Sequence, residues 1–366
     1  MDSNAPVFKD RNLQLIFIVT LFAVMGVASI SPAFPEIIEY FNITPREVEG
    51  LVVSFTFPGI ILTPIMGILA DRLGRKNILI PSLMLFGIAG FSCMFVREYH
   101  HLLLFRFFQG IGAASLGSLN VTLIGDLYSG ARRTEAMGFN ASVLSMGTAG
   151  YPAIGGLLAM SGWYFPFILP VLAVPLGIVV ALKLHTPVLP PKQKLGGYLR
   201  DTWENLNQRN VWGLFVLNIL VFFLIYGAHL TYLPILLKSR LQSSSLSIGL
   251  IMSLASVTMG IVAACIAKIN RRLRPRNILM AGVIFYFLSM LLYSFASSYL
   301  FIALPVLLYG VAQGMMIPTM QTLLVGFAPL EQRAAFMSIN SMVLRFGQTA
   351  GPMVIGFGFA LGAQSY

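Results

Sequence analysis

The sequence predicts an all-α polytopic membrane protein, because its composition, its apolar stretches and the placement of its charges agree. Of the 366 residues, 57% are hydrophobic and only 10% are charged, whereas soluble domains carry about 25% charged residues. This composition excludes a disordered chain, a nucleic-acid-binding domain and an ordinary cytosolic enzyme. Cys93 and Cys265 are the two cysteines and both lie in apolar runs, so a disulfide framework is also excluded.

Eleven apolar stretches are long enough to form membrane-spanning helices, which need about 20 residues to cross ~30 Å of hydrocarbon. The stretches are continuous, whereas strands of a membrane β-barrel would alternate over segments of about ten residues. The predicted spans are Leu13–Ile30, Leu51–Leu69, Ile78–Val96, Leu102–Ile124, Ala136–Met160, Phe165–Leu184, Val211–Leu233, Ser247–Ile269, Ile278–Phe295, Leu300–Phe327 and Phe336–Leu361.

Basic residues predict the orientation of the chain in the membrane. If the N-terminus is cytoplasmic, the inner segments hold 18 Lys and Arg residues, the outer loops hold 4, and Arg106 and Arg345 lie inside spans. Cytoplasmic loops of membrane proteins are enriched in Lys and Arg. The bias therefore predicts a multi-pass protein of the cell membrane with a cytoplasmic N-terminus. It also accounts for the net charge of +11 without a nucleic-acid partner.

A polar segment divides the spans into a bundle of six at 1–184 and a bundle of five at 210–366. The linker, 185–209, contains Leu199, Trp203 and Leu206 on one helical face. Either a short helix at the cytoplasmic interface or a plain flexible linker fits this segment. Because six and five spans leave the second bundle one helix short, we expect that a twelfth helix is missing from a fragment.

The two bundles repeat each other at an offset of 200 residues. Between 132 and 157, 8 of 26 positions are identical to the residue 200 positions later, where random pairing would give roughly two or three. The repeated residues include Asn140, Pro152 and Gly156, which recur as Asn340, Pro352 and Gly356. Duplicated six-helix halves with a site between them are a transporter architecture.

The loop between the second and third predicted spans carries a dense motif, Gly67-Ile-Leu-Ala-Asp71-Arg72-Leu-Gly74-Arg75-Lys76. Gly67 permits close helix approach, and Gly74 permits a tight turn. Arg75 can pair with an acid, for which Asp126 at the inner end of the fourth span is the candidate partner.

Two further motifs complete a resemblance to the major facilitator superfamily. Arg106-Phe-Phe-Gln109-Gly110 resembles the fourth-helix motif of that family, and the Gly67–Lys76 loop resembles its signature loop. The fifth span resembles the motif of the drug:proton antiporter branch, with one departure, since Tyr151 stands where the motif has glycine. The residues that match this antiporter motif are Gly138, Gly147, Pro152, Gly155 and Gly156.

The resemblance implies a major facilitator fold of two pseudo-symmetric six-helix bundles, here with 11 spans, and transport by alternating access. It implies that Gly67, Asp71, Arg72, Gly74, Arg75 and Asp126 form a conformational lock. It also links Arg106, Gln109 and Gly110 to proton transfer. In the second half Arg271, Arg274 and Pro275 replace Asp71, Gly74 and Arg75, so we expect a one-sided lock.

Charged and titratable groups inside the spans give the remaining candidates. Arg345 lies near mid-depth, where an ionisable residue indicates function by default, and it is predicted either to meet an anionic substrate or to bond Gln321, Gln348 or backbone carbonyls. Glu36, at the outer end of the first span, is the best external carboxylate for proton coupling. His229 carries a side chain that ordinarily titrates near neutrality and is a further candidate, although a lone histidine is more often a satisfied structural group. The candidate cavity residues are Arg345, Gln313, Gln321, Gln348 and His229.

The leading functional prediction is a secondary active efflux permease, a drug or metabolite:proton antiporter that acts as a monomer on small molecules among membrane lipids. The alternative is a uniporter or importer of a small anion or sugar metabolite, favoured by Arg345 and by the absence of a mid-depth carboxylate. A non-transporting scaffold or sensor would need a soluble domain, and no polar segment is long enough for one. The sequence predicts no enzyme activity, no cofactor and no metal site.

Overall fold

A computed structural model describes residues 7–186, 208–295, 297–327 and 333–363, and every regular element among them is helical. We number the long segments α1 to α11 in chain order. Their bounds are Arg11–Ala28 (α1), Gly50–Leu73 (α2), Arg75–Ser92 (α3), Tyr99–Leu127 (α4), Gly130–Ala159 (α5), Phe165–Lys183 (α6), Arg209–Leu241 (α7), Ser245–Asn270 (α8), Pro275–Tyr293 (α9), Tyr299–Phe327 (α10) and Arg333–Ala363 (α11).

Nine segments in the described part of the chain are long and apolar enough to cross a membrane. The other two predicted spans, α5 and α11, are helices of 30 and 31 residues whose stretches carry several Gly, Ser and Asn residues and, in α11, Arg345. The prediction of a polytopic all-α protein is confirmed, and eleven spans are compatible with the structure. The predicted linker helix around Leu199 and Trp203 falls outside the described residues.

Three helical regions depart from a continuous α-helix. A short helix, Phe34–Phe41, follows α1 after a 3₁₀ turn at Ser31–Ala33. The first part of α6, Phe165–Leu172, is a 3₁₀-helix that contains two prolines, and proline removes the N–H that an α-helix needs. Within α7, Leu224–Tyr232 is a π-helix, a form of helix that is rare and frequent at functional sites.

Helix packing separates the first six segments from the last five. In the first group α4 packs along α2 and α3, and in the second group α10 packs along α8 and α9. The groups meet through two main helix pairs, α5 with α8 and α2 with α11. Exchanging each helix with the one six places away converts one pair into the other, as a pseudo-twofold axis requires. The exact boundaries at 184 and 210 stay a prediction.

Candidate transport pathway and outer gate

The loop between α2 and α3 is organised around the Arg75 guanidinium, which is 6% exposed. Its Nη2 lies 2.5 Å from Asp71 Oδ1, and its Nε donates to Asp126 Oδ2 of α4 at 3.0 Å. Gly74, between the two helices, has a φ of +93°, which L side chains rarely adopt and glycine permits. The predicted contact between Arg75 and Asp126 is therefore present, and it joins the start of α3 to the inner end of α4.

Two other residues of the same motif stand outside this cluster. Arg72 is exposed and forms no ion pair with a described residue. Gly67 has no atom within 4 Å of a Cβ built on it, so the close helix approach expected there is not seen in this conformation. In the second half, Arg271 and Arg274 are exposed, and the described residues hold no counterpart of the Arg75 cluster.

Arg106 is fully buried in α4, with 0% exposure. Its Nε donates to the Leu51 carbonyl at 3.2 Å, and its Nη1 donates to Gln109 Oε1 at 2.6 Å. The guanidinium also lies over the Phe55 ring, 4.3 Å from its centroid. These contacts compensate a buried charge that would otherwise cost several kcal/mol, while Nη2 and Gln109 Nε2 keep no partner among the described atoms.

Glycines let helix backbones approach each other closely, both within the first half and between the two halves. A Cβ on Gly110 would lie less than 3.0 Å from the Phe55 carbonyl oxygen, so α4 needs glycine against α2. On α5, a Cβ on Gly155 or Gly156 would lie equally close to the carbonyl oxygen of Ser29 or Ser245 respectively. Small residues of this kind let membrane helices approach backbone to backbone.

A glycine of the second half contributes to the same close contact between α5 and α8. A Cβ on Gly249 of α8 would lie less than 3.0 Å from the Pro152 carbonyl oxygen, so the contact between α5 and α8 depends on glycine from both helices. The other two motif glycines differ. Gly147 meets only side chains, and Gly138 has nothing within 4 Å. The motif thus has a packing explanation at Pro152–Gly156 and none in this structure at Gly138.

Two carboxylates of the first half receive hydrogen bonds from hydroxyl groups of the second half. Because the basic residues predict that this end of the molecule faces outside, we call this arrangement the outer gate. Ser245 Oγ, at the start of α8, donates to Glu36 Oε1. Tyr232 OH, in α7, donates to Glu49 Oε2 at 3.1 Å. Glu36 follows α1 and bonds the start of α8, whereas Tyr232 of α7 bonds Glu49 at the start of α2. Because the pseudo-twofold exchanges α1 with α7 and α2 with α8, the two bonds join equivalent regions of the halves. The second oxygen of Glu36 is buried without a partner among the described atoms.

Below the outer gate, α11 contacts α2 and α4 through polar groups. Thr349 Oγ1 donates to Thr56 Oγ1 at 2.9 Å. The guanidinium of Arg345 reaches across to the first half, where Nη2 donates to the Ala113 carbonyl at 3.2 Å and the side chain lies against Gly59. A 3.5 Å contact joins Nη1 to Gln348 Oε1. Arg345 therefore lies between the two halves, in the middle part of α11.

The three remaining cavity candidates are placed differently. His229 is buried in the second half, stacked on Tyr309 of α10 with ring centroids 4.5 Å apart. It lies in the π-helical part of α7, and its role in a central cavity stays a prediction. Gln321 is exposed, and Arg345 bonds Gln348 instead. Gln313 is partly buried in α10 and forms no hydrogen bond among the contacts described here.

The contacts between halves lie in the outer part of the molecule or at mid-depth. On α5 and α8 the close approach runs through Pro152–Gly156 and Ser245–Gly249. Toward the inner ends of the same helices, Met146 is 72% and Ile261 is 63% exposed. The structure is therefore closed at the end that bears Glu36 and open between α5 and α8 at the opposite end.

This fold defines a class of protein, a helical membrane transporter with two repeated halves and a polar pathway between them. Residues 16–352 match the model of the Major Facilitator Superfamily, and the chain belongs to that family. Its members bind small-molecule substrates, and many of them couple transport to protons.

Comparison with solved structures supports the fold. A bacterial homolog of the human lysosomal transporter Spinster, in an inward-facing and unoccupied conformation, superposes with a TM-score of 0.79 at 17% identity, covering 94% of this chain and 81% of that one. The human organic anion transporter MFSD10 superposes with a TM-score of 0.70 at 20% identity, covering 96% of this chain and 94% of that one.

Curated relatives match over shorter segments. The bacillibactin exporter of Bacillus subtilis (strain 168) is 30% identical over 165 residues, which is 43% of this chain and 41% of the relative. The quinolone resistance protein NorA of Staphylococcus aureus is 23% identical over 207 residues, 57% of this chain and 53% of NorA. The matched segment thus spans about half the length of these relatives or less.

Proposed function

We propose that this transporter is an efflux permease of the plasma membrane that exchanges a small molecule for protons, with its N-terminus in the cytoplasm. The exporter and resistance names of the relatives support the direction, and the 18 to 4 distribution of basic residues supports the orientation. We propose a monomer, because the pathway lies between the two halves of one chain. The observation that carries proton coupling is the outer gate.

The coupling follows from the cost of burying a carboxylate. When the outer gate closes, Glu36 receives one hydrogen bond, while its second oxygen is buried without a described partner. An ionised carboxylate in that position loses hydration without full compensation. Uptake of a proton from the outside removes this cost and favours closure of the outer end. Release of the same proton to the inner side while the outer end is closed completes its transfer. Substrate bound from the inner side then favours the reverse step, so that a proton enters as a substrate leaves.

Glu49 contributes to the same equilibrium from the symmetry-related position. It is half-buried beside Tyr232 OH, and it separates from Tyr232 whenever α2 and α7 part at their outer ends. Two carboxylates on the outer gate allow up to two protons for each cycle.

A pH-gradient assay tests this coupling. Purified protein in proteoliposomes is given a fluorescent dye as transported probe, and accumulation is measured with an imposed pH gradient and without one. Glu36→Gln keeps a hydrogen-bonding side chain but cannot titrate, so we expect gradient-driven accumulation to fall at least tenfold while downhill exchange persists. Glu39→Gln is the matched control, because Glu39 is exposed on the same short helix. Gradient-driven accumulation by Glu36→Gln at the wild-type level removes Glu36 from coupling.

A second candidate function, uniport or import of a small anion or a sugar metabolite, is favoured by Arg345. In the part of the chain that the structure describes, no acidic residue lies in the middle of a long helix, so Arg345 has no described carboxylate at its depth. An unpaired guanidinium there attracts an anion and repels a cation. Counterflow of labelled organic anions in the absence of a pH gradient, lost in Arg345→Ala and retained in Gln321→Ala, supports this function. Counterflow that both variants retain excludes a role of Arg345 in it.

A further inference from the structure

Two aromatic rings of α7 lie against α11 close to Arg345. Phe222 and Tyr226 are stacked, with ring centroids 6.4 Å apart and an interplanar angle of 22°. A Cβ built on Gly347, two residues beyond Arg345, would lie 3.1 Å from Phe222 Cβ. Both rings are partly exposed, so a bound ligand can reach them.

The stacked pair faces the pathway between the halves. Tyr226 and Arg345 interact electrostatically, and Arg345 continues to the first half through its bond with the Ala113 carbonyl. Leu217 of the same helix lies toward α9, and Phe222 is roughly 140° around α7 from it. The two rings are therefore directed away from the outer side of the second bundle.

The first half builds the equivalent helix contact without an aromatic pair. A Cβ on Gly147 of α5 would lie 3.0 Å from the Val24 side chain of α1, in the same relation that Gly347 has to Phe222. Valine thus stands where the second half has phenylalanine, and α1 contains no aromatic residue from Val24 to its end at Ala28. Packing of these two helices therefore does not require the aromatic rings.

The first half has no guanidinium at the equivalent place either. Ser145 of α5 stands 200 residues before Arg345, and its hydroxyl donates to the Ala141 carbonyl of its own helix. A charged residue inside a membrane protein is costly and indicates function. Because the repeated packing needs neither the charge nor the rings, we treat Arg345, Phe222 and Tyr226 as one unit and call it the aromatic–guanidinium site.

The groups of this site recognise different parts of one ligand. A guanidinium binds an oxyanion such as a carboxylate through paired N–H donors. An aromatic side chain prefers another ring as its neighbour, which adds about 0.5–1.5 kcal/mol beyond the burial of area. An aliphatic anion would use Arg345 alone, and a neutral aromatic molecule would leave the charge of Arg345 without compensation.

We propose that the substrate of this transporter is an organic anion that carries an aromatic ring, bound at the aromatic–guanidinium site. Its anionic group lies on Arg345, and its ring lies against the partly exposed faces of Phe222 and Tyr226. The proposal rests on the proposed transport of a small molecule. It names the substrate class for efflux and for uniport alike, because both directions use the same pathway.

Equilibrium binding to the purified full chain tests the ligand class without any gradient. Benzenesulfonate and cyclohexanesulfonate are the probes, because both stay ionised and they differ in the aromaticity of the ring. Isothermal titration calorimetry of the wild-type protein should show benzenesulfonate bound about three- to tenfold more tightly, which is the factor that a contact between rings supplies. Equal affinities for the two sulfonates would overturn the proposal.

Variants assign the two parts of the ligand to their residues. Tyr226→Leu should lose the preference for benzenesulfonate and keep the affinity for cyclohexanesulfonate, which also shows that the variant is folded. Tyr226→Phe should keep the preference. Arg345→Gln should weaken the binding of both sulfonates on the order of tenfold. Phe223→Leu is the matched control, because Phe223 is the neighbouring aromatic residue of α7 and lies outside the stacked pair.

The outcomes for this site are separate from those for proton coupling. Unchanged binding by Arg345→Gln, a preference that Tyr226→Leu retains, or a preference that Phe223→Leu loses would each overturn the proposal. If the preference is present and gradient-driven accumulation is absent, the ligand class stands and proton coupling fails. If the two sulfonates bind equally and gradient-driven accumulation is present, efflux stands and the ligand class is wrong.

Discussion

Asn140 of α5 and Asn340 of α11 are 200 residues apart and hold equivalent positions in the two halves. Thr20 Oγ1 of α1 donates to Asn140 Oδ1 at 2.6 Å, and Asn218 Nδ2 of α7 donates to Asn340 Oδ1 at 3.2 Å. Both asparagines are buried. The repeat seen in the sequence is therefore matched by repeated tertiary contacts, in which the fifth helix of each half is bonded to the first.

Replacement of these asparagines should destabilise the halves unequally. In Asn140→Ala, Thr20 keeps its bond to the Ile16 carbonyl, so we expect a loss of about 0.5–1 kcal/mol in unfolding free energy. In Asn340→Ala the buried Asn218 amide loses its described acceptor, which costs about 1–3 kcal/mol. Unfolding in mixed micelles measures both. Ser142→Ala, at an exposed position on α5, is the control, and a larger loss for Asn140→Ala would contradict the interpretation.

The close contact between α5 and α8 predicts different outcomes for two glycines of one motif. Gly156→Ala places a methyl group less than 3.0 Å from the Ser245 carbonyl oxygen, so closure of the outer end should be impaired and transport should fall at least tenfold. Gly138→Ala meets open space and should transport at the wild-type rate, with slightly higher stability because alanine favours helix by about 1 kcal/mol.

Cysteine accessibility supplies the structural readout for this pair. A single cysteine at Ser245 should react faster with an impermeant thiol reagent in the Gly156→Ala background than in the Gly138→Ala background. Equal reactivity in the two backgrounds, together with equal transport, would show that the glycine contact does not control the outer end.

The Arg75 cluster predicts a specific sensitivity to Asp126. Asp126→Asn removes the negative charge of the partner but keeps its shape, and Arg75 keeps its ion pair with Asp71. Because the pair is partly exposed, we expect the free energy of unfolding to fall by about 1 kcal/mol. If the cluster is the conformational lock that the family resemblance implies, transport should also slow severalfold. Glu135→Gln, an exposed acid near the same surface, should leave both stability and transport unchanged. A transport rate in Asp126→Asn equal to that control would leave the cluster a purely structural role.

The helices, the repeat of the two halves and the Arg75 cluster could be predicted from the sequence, because each depends on local or regularly spaced residues. Apolar length marks a span, the offset of 200 residues marks the repeat, and Gly74 with Arg75 marks a turn beside a cation. The contact with Asp126 could be inferred because both residues were expected at the same membrane surface.

Other parts of the site could not be read from the sequence, because they depend on how the halves meet. Glu49 belongs to no motif of the sequence, and the approach of α7 brings Tyr232 to it. His229 was singled out as a titratable group in the seventh span, but its stacking on Tyr309 of α10 depends on tertiary packing that the sequence does not reveal. Gly67 and Gly138 have the motif spacing but face open space in this conformation.

Alternating access between the two halves is tested most directly by linking α2 to α11. Thr56 and Thr349 have side-chain oxygens 2.9 Å apart across the halves, so cysteines at both positions are within reach of a disulfide. The variant Thr56→Cys/Thr349→Cys is made in a background where Cys93 and Cys265 are replaced by serine. We predict that the oxidised protein, verified by mass spectrometry, does not transport and that reduction restores the rate, while each single cysteine variant is indifferent to oxidant. Transport by the fully linked protein at the unlinked rate would contradict the account.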